Sequence, residues 1–265
     1  MRSATVLITG ASSGIGEALA MKFAEDDYNL VLVARSQDKL QVLAKQLESK
    51  TAGQVLVEVV DLSQRESAKK LSATLGKQNI EVEVLVNCAG VLEHGRFVDL
   101  GVNSQQNMID LNVSGLTSML NYFLPPMVER GSGRVLNVAS IAAFQPVPSL
   151  AAYAATKAYV LSLSESLVEE LSGTGVSITA LCPGVTATNM VANAKRKSEG
   201  LEIPGYIIGE VDEVASQGYQ ACLKGDAICV PGAINLAATL AGRATPRWML
   251  RRISGLMGRY SLGRD

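Results

Sequence analysis

The sequence predicts an α/β protein built on a buried parallel sheet. Short, strongly apolar runs of strand length recur along the chain and alternate with stretches of helical period. The first run opens straight into a glycine turn and a helical pattern. The 265 residues show no internal repeat, low-complexity tract or linker, which suits one domain with a sizeable core.

In chain order, residues 4–9 form an apolar run of the kind expected for a strand covered on both faces. Gly10, Ala11, Ser12, Ser13, Gly14, Ile15 and Gly16 follow, then a helical pattern through Leu19, Ala20 and Phe23. In such a turn glycines let the backbone approach a pyrophosphate, and the helix N-terminus offers free N–H groups and a positive dipole end. The spacing Gly10-x3-Gly14-x-Gly16 differs from G-x-G-x-x-G, and a ligand-free tight turn is the alternative. Residues 29–34 are the second strand, ending at Ala34, Arg35 and Ser36. An acid at this point would hydrogen-bond a ribose and repel a 2′-phosphate. Arg35 instead offers a guanidinium that pairs with phosphate, with the Ser13 hydroxyl nearby, so NADP is favoured over NAD. The alternative is a solvated loop arginine.

Residues 38–49 are amphipathic through Leu40, Leu43 and Leu47. Residues 54–60 are strand three, ending in Asp61 and Leu62. Asp61 reads equally as a turn aspartate and as an acceptor for an adenine amino group. Ser63 with Glu66 predicts a capping box for the next helix. Residues 82–86 are strand four, followed by the small residues Asn87, Cys88, Ala89 and Gly90, which would leave room for a cofactor. Residues 104–127 are helical in period, interrupted at Pro125 and Pro126. Asn112 stands there among apolar neighbours, either as a satisfied core amide or as a kink or water anchor. Strand five covers residues 133–140, and residues 150–171 form a helix carrying Tyr153 and Lys157 on one face. Strand six covers 176–181 and ends before Pro183 and Gly184. Residues 185–209 read as a covering loop, 211–223 as a helix and 227–230 as a last strand. Residues 1–242 are assigned to the domain and 243–265 to a basic extension. That extension holds six arginines, with Met249, Ile253, Leu256, Met257 and Tyr260 at helical spacing. It reads as a helix packed on its own domain or a second subunit, with an anionic membrane surface as the other reading.

Composition narrows the function. With 18% charged residues and a net charge of -1, the chain is a globular protein and not a nucleic-acid binder. Residues 1–10 read as a first strand rather than a leader peptide. The lone His94 and four cysteines without C-x-x-C spacing give no metal site, make a Ser-His-Asp hydrolase improbable and suit reduced thiols in the cytoplasm. A hydroxyl (Ser140), a phenol (Tyr153) and an ammonium (Lys157) that converge can do acid/base chemistry on a carbonyl or alcohol. Phe144, Val147, Pro148 and Met190 suggest an apolar pocket wall.

Taken together, Thr9-Gly10-x-x-x-Gly14-x-Gly16, Asn87-x-Ala89-Gly90, Asn112, Ser140, Tyr153-x-x-x-Lys157 and Pro183-Gly184 resemble the short-chain dehydrogenase/reductase family in its single-domain branch. The resemblance covers about residues 5–230 and departs from the usual pattern at Cys88. It implies a three-layer, doubly wound Rossmann-type sheet of about seven strands. It implies NADP(H), with NAD(H) as the second choice, held by Thr9, Gly10, Ser12, Ser13, Gly14, Ile15, Gly16, Arg35, Asp61, Leu62, Asn87, Ala89, Gly90, Tyr153, Lys157, Pro183, Gly184 and Thr188. It implies hydride transfer at a carbonyl or alcohol of a small apolar molecule. Tyr153 would act as general acid/base with its pKa lowered by Lys157 and the oxidised nicotinamide, Ser140 would bind the substrate oxygen, and Asn112 would hold a water. It further implies a homodimer or homotetramer. The readings weighed against it are a catalytically silent NADP-binding regulator and a membrane-associated lipid ketoreductase.

Overall fold

The computed structural model describes residues 4–186, 209–246, 248–252 and 254–255. Seven strands alternate with eight helices among them: β1 Thr5–Thr9, α1 Gly14–Glu25, β2 Asn29–Ala34, α2 Gln37–Glu48, β3 Val55–Val59, α3 Ser67–Lys77 and β4 Val84–Asn87. Then come α4 Val102–Ile109, α5 Leu116–Glu129, β5 Gly133–Val138, α6 Ala151–Glu170, β6 Val176–Leu181, α7 Val211–Lys224, β7 Ile228–Cys229 and α8 Ala233–Ala244. All strands are parallel, in the order β3-β2-β1-β4-β5-β6-β7. This is the three-layer Rossmann-type sheet that the sequence predicts.

The strands read as unbroken apolar runs because both faces are covered. Leu7, Val31, Leu85 and Val135 point into one core with α3, α5 and α6. Val6, Ile8, Leu30, Leu32, Val84, Val86 and Leu136 point into the other with α1, α2 and α7. Successive strand residues face opposite sides, so each strand feeds both cores. The chain winds outward from β1 in one direction to β3, then reverses through β4 to β7. The reversal opens a crevice between the carboxyl ends of β1 and β4, where sheets of this kind bind ligands.

Several boundaries and one cap differ from the expectation. Strand four ends at Asn87, one residue later than the apolar run suggested, and the last strand shrinks to Ile228–Cys229. The capping box at Ser63 does not form. The Ser63 N–H and hydroxyl both donate to Asp61 Oδ1, at 3.1 and 2.8 Å, and α3 starts only at Ser67 behind Glu66. The interruption predicted at Pro125 and Pro126 is absent, since α5 runs through both to Glu129. Both prolines are exposed, as are Asn121 and Tyr122, so water can reach the carbonyls the prolines leave without donors, while buried Phe123, Leu124 and Met127 hold the turn. The real break lies upstream, where a π-helical turn, Asp110–Gly115, joins α4 to α5 and contains Asn112.

Candidate active site

A cleft of about 450 Å³ opens at the carboxyl ends of the strands. The glycine turn forms its floor. Gly10 has φ of 69°, and a Cβ there would stand 2.9 Å from the Ala89 Cα. A Cβ on Gly16 would strike the Gly10 carbonyl oxygen. Any side chain at either position would push the β1–α1 turn off the neighbouring backbone. Ser13 holds the N-cap of α1 in extended conformation without a side-chain cap bond. The first-turn N–H groups therefore rest without that partner at the edge of a cleft lined by Gly10, Ser12, Ser13, Gly14 and Ile15, where an anion would meet them.

Behind this turn, Thr9 is buried and spans two strands. Its hydroxyl donates to the Val86 carbonyl at 3.2 Å and accepts from the N–H groups of Cys88 (3.0 Å) and Ala89 (3.1 Å). Thr9 therefore fixes the loop after β4, which supplies Cys88, Ala89 and Gly90 to the cleft wall. Thr9, Gly16 and Asn87 themselves lie outside the lining. Asn87 donates to Asn137 Oδ1 at 2.9 Å, and Asn137 Nδ2 donates to the Ser164 hydroxyl at 2.9 Å, a buried polar chain tying β4, β5 and α6.

At one end of the cleft, exposed Arg35 and Ser36 face Asp61 and Leu62. Asp61 is a turn aspartate and also lines the cleft. Partial burial works against its ionisation, but the hydrogen bonds from Ser63 and the Arg35 guanidinium outweigh it and hold the carboxyl below its ordinary value.

At the other end stand Ser140, Tyr153 and Lys157, all nearly buried. Ser140 caps a 3-10 turn, Ile141–Phe144, by accepting from the Ala142 N–H at 3.1 Å. That bond orients its hydroxyl, which also hydrogen-bonds Tyr153. Lys157 sits one helical turn beyond Tyr153, with Nζ donating to the Val138 carbonyl at 2.8 Å and lying 5.8 Å from the Tyr153 ring centre. Burial pushes the Tyr153 hydroxyl up to about 12, against the Ser140 hydrogen bond, and pushes the Lys157 ammonium down to about 8. The expectation joined Lys157 with an oxidised nicotinamide; in the protein alone the tyrosine stays above its ordinary value. Desolvation dominates at the hydroxyl, and the lysine is turned toward a backbone carbonyl.

Asn112 lies behind this group. Its amide pairs with both the N–H and the carbonyl of Val91 at 2.9 Å and donates to the Thr156 hydroxyl at 3.2 Å. Asn112 is thus a satisfied core amide, set in the π-helical turn. Its Oδ1 also stands close to Gly90, as does the Lys157 Nζ, at 3.2 and 3.5 Å from where a Cβ would be. Pro183 and Gly184 line the cleft, and Thr188 and Met190 lie outside the described residues. Of the suggested apolar wall, Val147 lines the cleft, whereas Phe144 packs toward the core. Burial raises the Cys88 thiol to about 11, so it is no nucleophile at neutral pH, and partial burial lowers His94.

Sequence reasoning missed Gln145 in the lining and the Asn87–Asn137 pair behind it. Asn137 carried a usable signal, an amide set among Val135, Leu136 and Val138 in a strand. Gln145 carried none beyond lying between Ser140 and Tyr153.

Comparison with known proteins agrees with this fold. The family described as short chain dehydrogenase matches residues 4–199. An uncharacterized oxidoreductase of Staphylococcus epidermidis is 32% identical over 212 residues, 78% of this chain and 90% of that protein. A short-chain dehydrogenase from Sphingobium yanoikuyae, solved in complex with NADPH, is 31% identical with a TM-score of 0.80 over 96% of this chain and 95% of that one. The bulky-bulky ketone specific alcohol dehydrogenase from Comamonas testosteroni is 29% identical, with a TM-score of 0.78 over 92% and 93%.

Proposed function

The chain belongs to the short chain dehydrogenase family, and from that premise we propose that it is an NADP(H)-dependent oxidoreductase acting on a carbonyl or alcohol of a small apolar substrate. The observation that carries this reading is one cleft shared by the glycine turn, Arg35 and the Ser140–Tyr153–Lys157 group. The residues fit a dinucleotide. Gly10 and Gly16 let the β1–α1 turn pack directly on neighbouring backbone, and α1 presents its N-terminus to the cleft floor that this turn forms. Gly14, Ile15, Ala89 and Gly90 would lie along the cofactor, Asp61 would face the adenine and Arg35 a 2′-phosphate. The NADPH of the Sphingobium relative supports that choice. A bound nicotinamide supplies or accepts the hydride.

The chain's own groups then handle the oxygen. With its hydroxyl held well above neutral, Tyr153 is protonated at pH 7 and can donate to a carbonyl oxygen as the carbon is reduced. Ser140 donates a hydrogen bond to the same oxygen and stabilises its developing charge. Lys157 brings positive charge under the tyrosine, and Asn112 holds the Val91 backbone that walls the site. Val91, Leu92, Val147 and Leu150 give this half of the cleft an apolar surface, which supports an apolar ketone, aldehyde or alcohol, as does the ketone named for the Comamonas relative.

The deciding experiment is fluorescence titration of wild type and Arg35→Asp with NADPH and NADH. Wild type prefers NADPH and the variant loses or inverts that preference. Equal affinity in wild type sinks the NADP assignment, and no binding of either nucleotide sinks the oxidoreductase reading.

A further inference from the structure

We propose that α8 and residues 248–252 dock the protein on an anionic phospholipid surface, beside the mouth of the cleft. The first observation is that α8 faces the wrong way for a soluble surface helix. Asn235, Thr239 and Gly242, at i, i+4 and i+7, are the positions turned toward the body, whereas Ile234 is 76% exposed, Leu240 is 56% exposed and Leu236 is exposed between them. A helix on a water-soluble domain normally buries its apolar stripe and shows its polar one. Trp248, 55% exposed, and Met249 continue the apolar surface after the helix.

The second observation is charge. No aspartate or glutamate occurs between Asp226 and Asp265, while residues 243–265 hold six arginines. With the whole chain at -1, the remainder is acidic. Arg251 and Arg252 are exposed, and the Arg252 guanidinium lies 5.7 Å from the Trp248 ring. Exposed aliphatic groups, a tryptophan and flanking arginines are the components of an interfacial anchor. A second copy is the less suited occupant, because a two-fold contact would set this arginine patch against itself. No helix among the described residues is long and apolar enough to cross a membrane, so the contact is adsorption.

The third observation is position. The Asn235 amide donates to the Pro231 carbonyl at 2.8 Å and occupies the space a Cβ on Gly184 would need. Gly242 lies against Gln145, where a Cβ would stand 3.9 Å from Oε1. Gly184 and Gln145 both line the cleft. A bilayer under α8 therefore lies next to the substrate end, from which a membrane-dissolved apolar carbonyl compound can enter.

Trp248 is the chain's only tryptophan, so its emission reports the contact directly. The full chain is titrated with phosphatidylcholine vesicles with and without phosphatidylglycerol. The expected result is a blue shift and co-sedimentation with anionic vesicles alone, reversed by high salt. Arg251→Gln with Arg252→Gln weakens binding on the order of thirtyfold, and Leu236→Gln with Leu240→Gln abolishes the shift. Far-UV circular dichroism and the thermal melt stay unchanged in both variants, which shows that they fold. No shift with anionic vesicles overturns the proposal. So does a change of oligomeric state in the leucine variant with no vesicle binding by wild type, which identifies a subunit contact instead. The tryptophan signal needs no bound nucleotide, so its outcome is independent of the oxidoreductase reading.

Discussion

Thr9→Val keeps the shape of the side chain and removes only its hydroxyl. The hydroxyl has three partners, the Val86 carbonyl and the N–H groups of Cys88 and Ala89. A buried polar group left without a partner costs about 1–3 kcal/mol. Two donors and one acceptor would sum to more, but the Cys88–Ala89 backbone is only partly buried and water can reach it in the variant. The expected loss is therefore about 2–4 kcal/mol, or about 5–15 °C in Tm for a chain of this size. Urea unfolding followed by circular dichroism measures it, with Thr9→Ser as control because serine restores the three bonds. NADPH affinity should fall in parallel in Thr9→Val, since the same bonds hold the cleft wall at Ala89 and Gly90. A Thr9→Val protein within about 0.5 kcal/mol of wild type, or a Thr9→Ser protein as unstable as Thr9→Val, would refute the reasoning.

Three further outcomes are expected. Tyr153→Phe should lower kcat on any ketone substrate by about 10²-fold or more while fluorescence titration finds NADPH affinity nearly unchanged; retained turnover would remove Tyr153 from the proton-transfer role. Lys157→Met should stabilise the apoprotein at pH 7. The unfolded lysine keeps its proton to 10.5 and the folded one only to about 8, so the buried ammonium costs stability below pH 8, by about 3 kcal/mol at most. The lost bond to Val138 offsets part of this gain, and the advantage should shrink as pH rises from 8 toward 10.5. Urea midpoints at pH 7 and 9.5 that differ from wild type equally would contradict it. Gly16→Ala should unfold readily or lose nucleotide binding, because its Cβ meets the backbone oxygen of Gly10 rather than a movable side chain; a thermal melt and an NADPH titration both read this.

The fold was legible because buried parallel strands write themselves as short apolar runs, and seven such runs became seven strands. The glycine turn was legible because its backbone needs glycine at Gly10 and Gly16 for close approach. Features set by long-range contacts were not. The capping box at Ser63 matched a local pattern, yet Asp61 took both Ser63 donors and moved the start of α3. The prolines in α5 looked like a break, but core packing of Phe123 and Met127 carried the helix through them.

The sequence by itself determined the strand runs, the alternation with helices and the residue types at the site. Those follow from side-chain polarity and backbone freedom, which are local. The tertiary structure alone decided which of these residues meet in one cleft, and which, like Thr9, Asn87 and Asn112, support it from behind. It decided that burial outweighs the Ser140 hydrogen bond at the Tyr153 hydroxyl, because desolvation depends on what surrounds a group. It also decided which stripe of α8 faces outward, since periodicity names the stripes of a helix and packing chooses between them.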